Sequence, residues 1–387
     1  MNEKHSIEAM QRYPSISDLQ RKAKKRMPHV AWEYLDCGTG DEKAVTRNLE
    51  KLEAITLVPK LLKGELIPNV STTLFGQIYK APFGVAPIGL AGLMWPHAEC
   101  ILARTAAKYT IPYCLSTVAT QMPETIGPLV GEMGWFQLYP PRKRDVRSDL
   151  LKRARESGFT TLVVTADVPT GSRRERTLRA GLRMPPQITP RFIFEALRHP
   201  TWTLNALRAG LPKLRMMEKY AKSTKMGETA AFVEREMSGT LSWDYLKEVR
   251  DEWQGPLVLK GIHHPEDAEE AVQVGVDGIQ VSNHGARQFD GTPAAIDLLP
   301  AIARQVQGKT SILFDSGIRS GLDIIRAISL GADFVLLGRA FMYGVAALGK
   351  YGGDHATEIL MTDLENNMIQ LGCTTIAEIS KQEHKRH

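Results

Sequence analysis

The sequence predicts an α/β fold: a (β/α)8 TIM barrel with an N-terminal helical segment and a long insertion after strand 4. Two patterns predict it. Eight short apolar runs recur along the chain: Phe83 to Pro87, Pro112 to Ser116, Gly134 to Leu138, Thr161 to Thr165, Pro256 to Lys260, Gly278 to Ser282, Ser311 to Asp315 and Phe334 to Gly338. Runs of this kind read as parallel strands buried on both faces. Between most of them lie roughly 20 residues with helical periodicity, such as HAECILARTAAKY and GLDIIRAISLGA, which is the spacing of βα units. Eight such units in series favour a closed barrel over an open doubly wound sheet.

The elements follow in order. Residues 1–80 precede the first run and are expected to form helices that close the barrel bottom and lend a loop to the site. The run RKAKKRMP within them reads as a solvated helix face, since no nucleic-acid motif accompanies it. Residues 81–365 form the barrel and 366–387 a C-terminal tail. About 90 residues separate the fourth run from the fifth, which makes residues 180–240 an insertion of functional length. There Phe192, Phe194, Trp202 and Leu204 interleave with Arg191, Arg198, Arg208, Lys213 and Arg215, as in a membrane-surface segment. Pro200 and Pro212 break any long helix, so a lid or subunit contact is the competing reading.

Composition narrows the function. The 387 residues suit one barrel with additions, and 43% hydrophobic content supplies a large core. Lys and Arg total 49 against 43 acidic residues, and a net charge of +6 is too small to mark a nucleic-acid binder. Cys37, Cys100, Cys114 and Cys373 are widely spaced and read as free thiols in a reducing compartment. The N-terminal MNEKHSIEAMQRYPSISD has no apolar core of a secretory signal, and no apolar stretch has spanning length.

Barrel chemistry is carried by the C-terminal strand ends. Gln137 and Tyr139 follow the third run; Thr165, Asp167 and Arg174 follow the fourth; Lys260 ends the fifth. The sixth leads into SNHGARQFDG with Ser282, His284 and Arg287. The seventh and eighth bring FDSGIRSG and LLGRA, with Asp315, Gly317, Arg319, Gly338 and Arg339. Glycine-rich turns with arginines after the last two strands read as a phosphate site. His284 reads as an acid/base group oriented by Asp167, with Arg174 and Arg287 suited to a substrate carboxylate. The pair His263 and His264 point different ways in sequence and have no ligand partners, so a loop role outweighs a metal and no metal is expected.

At SNHGARQFDG the chain resembles the FMN-dependent 2-hydroxy acid oxidising family, and the likeness extends from MPHVAWEYLDCGTGDE to LGRAFMYGVAALG. Within that family LMWPHAECILARTA, WFQLYP, RHPTWTLNALRAGLPKL and the late LGC are similar to the membrane-associated (S)-mandelate dehydrogenases. The resemblance implies FMN as cofactor and oxidation of an L-2-hydroxy acid, aromatic or bulky, to the 2-oxo acid. It makes His284 the base paired with Asp167. Arg174, Arg287 and Tyr34 hold the carboxylate, Tyr139 sits near the substrate hydroxyl, and Lys260 near the flavin's pyrimidine edge. Ala86, Pro87, Ile88, Ser116, Gln137, Thr165 and Ser282 contact the ring, Asp315 the ribityl chain, and Gly317, Arg319, Gly338 and Arg339 the phosphate. It further implies a quinone-type acceptor, a homotetramer and a peripheral place on the cytoplasmic face of the inner membrane, or in the cytoplasm if the insertion is no membrane segment. The alternatives are an L-lactate dehydrogenase, an oxygen-using oxidase of the same family, and a flavin-binding scaffold without activity.

The chain departs from the family pattern at four places. Ile88 replaces a threonine, and Gly89 replaces an alanine of several oxidases, which resembles the dehydrogenase branch. Val118 stands where glycolate oxidases carry tryptophan, leaving room for a bulkier substrate. Ala286 replaces the second glycine of the histidine motif, which is tolerable unless the position needs a positive φ.

Overall fold

The computed structural model describes residues 3–182, 189–210, 212–237 and 241–386. Eight parallel strands close into one barrel: β1 Phe83–Val85, β2 Tyr113–Ser116, β3 Gly134–Leu138, β4 Thr161–Thr165, β5 Leu257–Ile262, β6 Gly278–Val281, β7 Ser311–Phe314 and β8 Phe334–Leu337. Strands adjacent in sequence are adjacent in the barrel, and β8 closes onto β1. Nearly every strand residue is buried, because side chains fill the interior while helices cover the outside. This is why the strands read as continuous apolar runs.

The register sets the level of the strand ends. Ser116 lies beside Gln137, and Thr165 beside Lys260. Between Lys260 and Ile262 the β5–β6 ladder slips at Gly261, whose φ is 99°. A Cβ there would meet the Asp167 backbone nitrogen at 2.8 Å and its Cβ at 2.6 Å. The bulge therefore lets β5 pass close under Asp167, a device open only to glycine.

The bottom of the barrel is closed differently from the sequence expectation. A hairpin of Thr72–Leu74 and Gln77–Tyr79, not a helix, plugs it. Phe75 meets Trp135 at the start of β3 with tilted rings and Tyr79 meets it edge-on, and Trp135 donates its indole N–H to the Tyr79 hydroxyl at 3.1 Å. Strands of three residues are too short to show a period, which hid the hairpin in the sequence. The helix His29–Asp36 instead stands at the mouth, where it brings Tyr34 and Leu35 into the cavity wall. The boundary set at residue 366 falls inside the helix Gly352–Leu371, and His384–Arg386 returns to pair with Ile55–Leu57.

The insertion folds into short helices. Pro190–Arg198 and Pro200–Ala209 meet at His199, each with proline in its first turn, where the missing N–H costs nothing. Their outer face exposes Ile193, Phe194, Leu197, Leu204 and Leu207, while Trp202 turns inward and is only 7% exposed. Further on, Met216 and Met217 are fully buried, so the second half of the insertion belongs to the core.

Candidate active site

One cavity occupies the C-terminal mouth of the barrel, with about 1020 Å³ of empty space including its open entrance. Its wall holds Tyr34, Ala86, Pro87, Ile88, Gln137, Tyr139, Thr165, Arg174, Lys260, His284, Arg287, Asp315, Gly317, Arg319, Gly338 and Arg339. Three expected residues stand behind that wall. Asp167 supports His284, Ser116 donates to Gln137 Oε1 at 3.0 Å, and Ser282 donates to Asp315 Oδ1 at 2.6 Å. Ser116 and Ser282 thus brace cavity residues. Alternate strand residues face opposite sides, and an all-buried run does not reveal which side is which.

His284 Nδ1 lies 2.9 Å from Asp167 Oδ1 and donates to it. Lys260 Nζ also lies 3.4 Å from Nδ1, but an ammonium only donates, so that approach is no hydrogen bond while Nδ1 carries the proton. Nε2 is therefore left as the basic nitrogen, 3.4 Å from the Tyr139 hydroxyl. Burial would raise the Asp167 carboxyl, but the Lys260 ammonium and the His284 ring reverse this and hold it at about 2. Burial and Lys260 lower His284 below its ordinary 6.5, against the pull of Asp167. A neutral imidazole at neutral pH, backed by a fixed anion, is the arrangement of a general base. Burial pushes the Tyr139 phenol up, so it remains a donor.

His284, Gly285 and Ala286 all sit in the left-handed region, with φ of 58°, 62° and 59°. The condition set on Ala286 is thus met: its methyl group occupies a position that favours glycine. The turn is held from below. Ser282 Oγ accepts from the His284 backbone N–H at 3.0 Å, and Ser316 Oγ accepts from those of Asn283 and Gly285 at 3.2 and 3.0 Å.

Four arginines line the cavity, and none forms an ion pair with a carboxylate among the described residues. Arg287 donates to the carbonyls of Tyr34, Leu35 and Cys37 at the end of the helix His29–Asp36, which leaves two of its five N–H groups for a ligand. Arg174 is tied only through Nε, to Ser172 Oγ at 3.1 Å. The two guanidinium groups lie over the Tyr34 ring, at 5.8 and 5.3 Å. Burial, with Arg174 and Arg339 nearby, brings Arg287 down to about 9. Arg176, two residues after Arg174, pairs with Glu33, Asp36 and Glu42, which pins the loop after β4 to the N-terminal helices.

A second part of the cavity, next to Arg287, fits a phosphate. The helix Arg339–Leu348 starts there with no side chain capping its N-terminus, and such an end accepts an anion. Arg339 donates to the Gly285 and Cys37 carbonyls at 2.9 and 2.8 Å, and its buried Nε has no partner. Arg319 leans on the Tyr343 ring at 5.8 Å. These groups could hold the phosphate of FMN, and Gln137, Thr165 and Lys260, which line the same cavity, could hold its ring. Asp315, which accepts from Gln280, Ser282 and Ser316, suits the ribityl chain.

Several wall residues were not identified by chemistry alone: Leu35, Met94, Ser316, Ile318, Leu336, Leu337 and Met342. Most are apolar, and an apolar residue near a strand end looks like core. His263 donates from Nε2 to the Ser282 carbonyl at 2.7 Å, and His264 precedes the helix Pro265–Val274, so both serve the loop.

Fold and site together define a barrel that pairs an acid/base centre with a berth for a phosphorylated cofactor. The chain belongs to the FMN-dependent dehydrogenase family, whose model matches residues 23–386. FMN is its cofactor. The L-lactate dehydrogenase of Pseudomonas paraeruginosa is 39% identical over 366 residues, spanning 94% of this chain and 96% of that protein. The L-lactate dehydrogenase of Xanthomonas campestris pv. campestris is 39% identical over 368 residues, 95% of each. The crystal structure of the monotopic membrane protein (S)-mandelate dehydrogenase superposes with a TM-score of 0.92 at 32% identity, covering 96% of this chain and 99% of that one. Mandelate oxidase gives 0.82 at 31%, covering 97% and 99%.

Two outcomes follow from the geometry. Replacing Ala286→Gly should stabilise the protein by about 1 kcal/mol, read as a higher urea midpoint with an unchanged slope; a lower midpoint would show that the methyl is not strained. The pH profile of kcat/KM should rise along an acid limb centred below 6.5, where His284 loses its proton. An acid limb centred above 6.5 would contradict the lowered imidazole.

Proposed function

We propose that this chain oxidises an L-2-hydroxy acid with a bulky or aromatic side chain to the 2-oxo acid. The reading is carried by one observation: a neutral His284 held by Asp167 faces two guanidinium groups, Arg174 and Arg287, that have no carboxylate to bind among the described residues. The substrate carboxylate is the missing anion, gripped at the arginines and steadied by Tyr34. Held there, its carbinol group lies toward His284 Nε2 and the Tyr139 hydroxyl. His284 takes up one proton of the H–C–O–H unit, the second proton and the two electrons leave for the bound acceptor, and Asp167 stabilises the imidazolium that results. Bound FMN supplies the two-electron acceptor. Lys260, buried beside the ring berth, places positive charge where negative charge accumulates.

Size selection is supported at the wall. A Cβ on Gly89 would meet Val118 Cγ2 at 2.7 Å, so the two residues form one close-packed lip that is small at both positions. A larger pair would fill the space left for a phenyl group. The sequence relatives that are L-lactate dehydrogenases favour a second reading, lactate itself. Anaerobic mixing of the holoenzyme with (S)-mandelate, L-lactate and glycolate decides between them. Mandelate is expected to bleach the flavin fastest. Faster bleaching by lactate would overturn the aromatic reading, and no bleaching by any of the three would leave only a scaffold.

The electrons are passed on to a quinone-type acceptor at a membrane surface. The likeness to a monotopic membrane protein supports this, as does the outer face of the insertion. Phe194, Leu197 and Leu207 are 58%, 74% and 75% exposed there, with Arg198 and Arg208 beside them. Helices of nine and ten residues are too short to cross a bilayer, and no described helix is long and apolar enough to do so. They suit shallow burial in the headgroup region. Replacing Phe194→Ser, Leu197→Ser and Leu207→Ser together should move the protein from sedimented anionic vesicles to the supernatant with FMN retained. Unchanged sedimentation would assign the face to a lid or a subunit contact.

A further inference from the structure

The insertion reaches the substrate pocket through one side chain. Trp202, on Pro200–Ala209, is the residue of that helix that turns inward, and its indole N–H donates to the Met94 carbonyl at 3.0 Å. Met94 ends the four-residue helix Ala91–Met94, which begins after Leu90 at a φ of 53°. A helix of one turn leaves its last carbonyls without intrahelical donors. Trp202 satisfies the last of them in a buried place, where an unmet carbonyl is costly. The Met94 side chain is 1% exposed and lies in the cavity wall with Leu35 and Val118. A second contact acts in parallel: Glu195 on Pro190–Arg198 accepts the His29 backbone N–H at 3.3 Å, at the start of the helix that carries Tyr34 and Leu35. The insertion thus grips both short segments that form the apolar end of the pocket.

We infer that Trp202 is a positioning residue for substrate selection: by fixing Met94 it sets the width of the pocket at the substrate's side chain. The inference rests on the proposed 2-hydroxy acid reading. It assigns the insertion a role inside the site that is separate from its outer face. Trp202 stands behind the cavity wall and not in it, so its removal should alter what fits and leave acid/base chemistry intact.

The test compares ligands that share the 2-oxo acid group and differ in side chain. Benzoylformate and pyruvate are titrated into the holoenzyme, and the dissociation constants are read from the perturbed flavin spectrum without turnover. In Trp202→Phe, which keeps a ring and loses the N–H donor, benzoylformate should bind roughly three- to tenfold more weakly, the worth of one hydrogen bond. Pyruvate should stay within about twofold, since its methyl group is too short to reach the Met94 wall. Met94→Ala, which leaves Trp202 in place, should also change the benzoylformate-to-pyruvate ratio, and the double variant should shift less than the sum of the two. Equal weakening of both ligands in Trp202→Phe, or an unchanged ratio in Met94→Ala, would overturn the inference. The wild-type preference between the two ligands reports separately on the substrate reading.

Discussion

The hydrogen bond between Asp167 and His284 is the constraint on which the rest of the site depends. It fixes the proton on Nδ1 and leaves Nε2 basic and aimed at the cavity. The bond is a product of the fold in three places. Gly261 removes a Cβ so that β5 can pass beneath Asp167. The register of β4 and β5 sets Lys260 beside Thr165, which brings an ammonium within 3.6 Å of the carboxylate. The left-handed turn from His284 to Ala286 swings the ring back over the barrel mouth. Each local irregularity makes sense once the pair is seen as the thing being positioned.

The second organising fact is a set of four cavity arginines that pair with no carboxylate among the described residues. Arg174 and Arg287 lie over the Tyr34 ring, Arg339 shares the Cys37 carbonyl with Arg287, Arg319 rests against Tyr343, and Lys260, itself beside Asp167 and Asp315, adds a further positive charge. Arginines elsewhere in this chain find carboxylates, as Arg153 does with Glu124 and Arg326 with Asp323. The cavity arginines are instead held by uncharged acceptors, backbone carbonyls for Arg287, Arg319 and Arg339 and the Ser172 hydroxyl for Arg174, which orient a guanidinium without neutralising it. Burying unneutralised charge is unfavourable, and two bound anions, a phosphate and a carboxylate, relieve it. Ligand binding should therefore contribute to stability as well as to chemistry.

The barrel itself was legible because its strands are uniformly apolar and evenly spaced, and its chemistry because polar residues follow each run. His284, Asp167 and the arginines were found this way. Other features carried no such signal. The hairpin plug is too short for a period. Leu35 and Met94 are apolar, and only the closed fold shows that they face a cavity and not the core. Ser116 and Ser282 were placed at the right strand ends, but their bonds to Gln137 and Asp315 carried no signal in the sequence. Trp202 looked like one more aromatic residue in a membrane segment, because nothing local to it announces a carbonyl over 100 residues earlier in the chain. Long-range contacts of this kind are invisible to periodicity.

The pairing of a neutral imidazole with a fixed carboxylate can be tested at the first chemical step. Rapid anaerobic mixing of His284→Ala holoenzyme with its hydroxy acid would follow flavin bleaching directly. The account predicts that FMN remains bound and that bleaching slows by about 10³-fold, the usual worth of a positioned base. Bleaching at a rate close to that of the unaltered protein would show that the proton leaves by another route, and that the histidine motif does not perform the chemistry assigned to it.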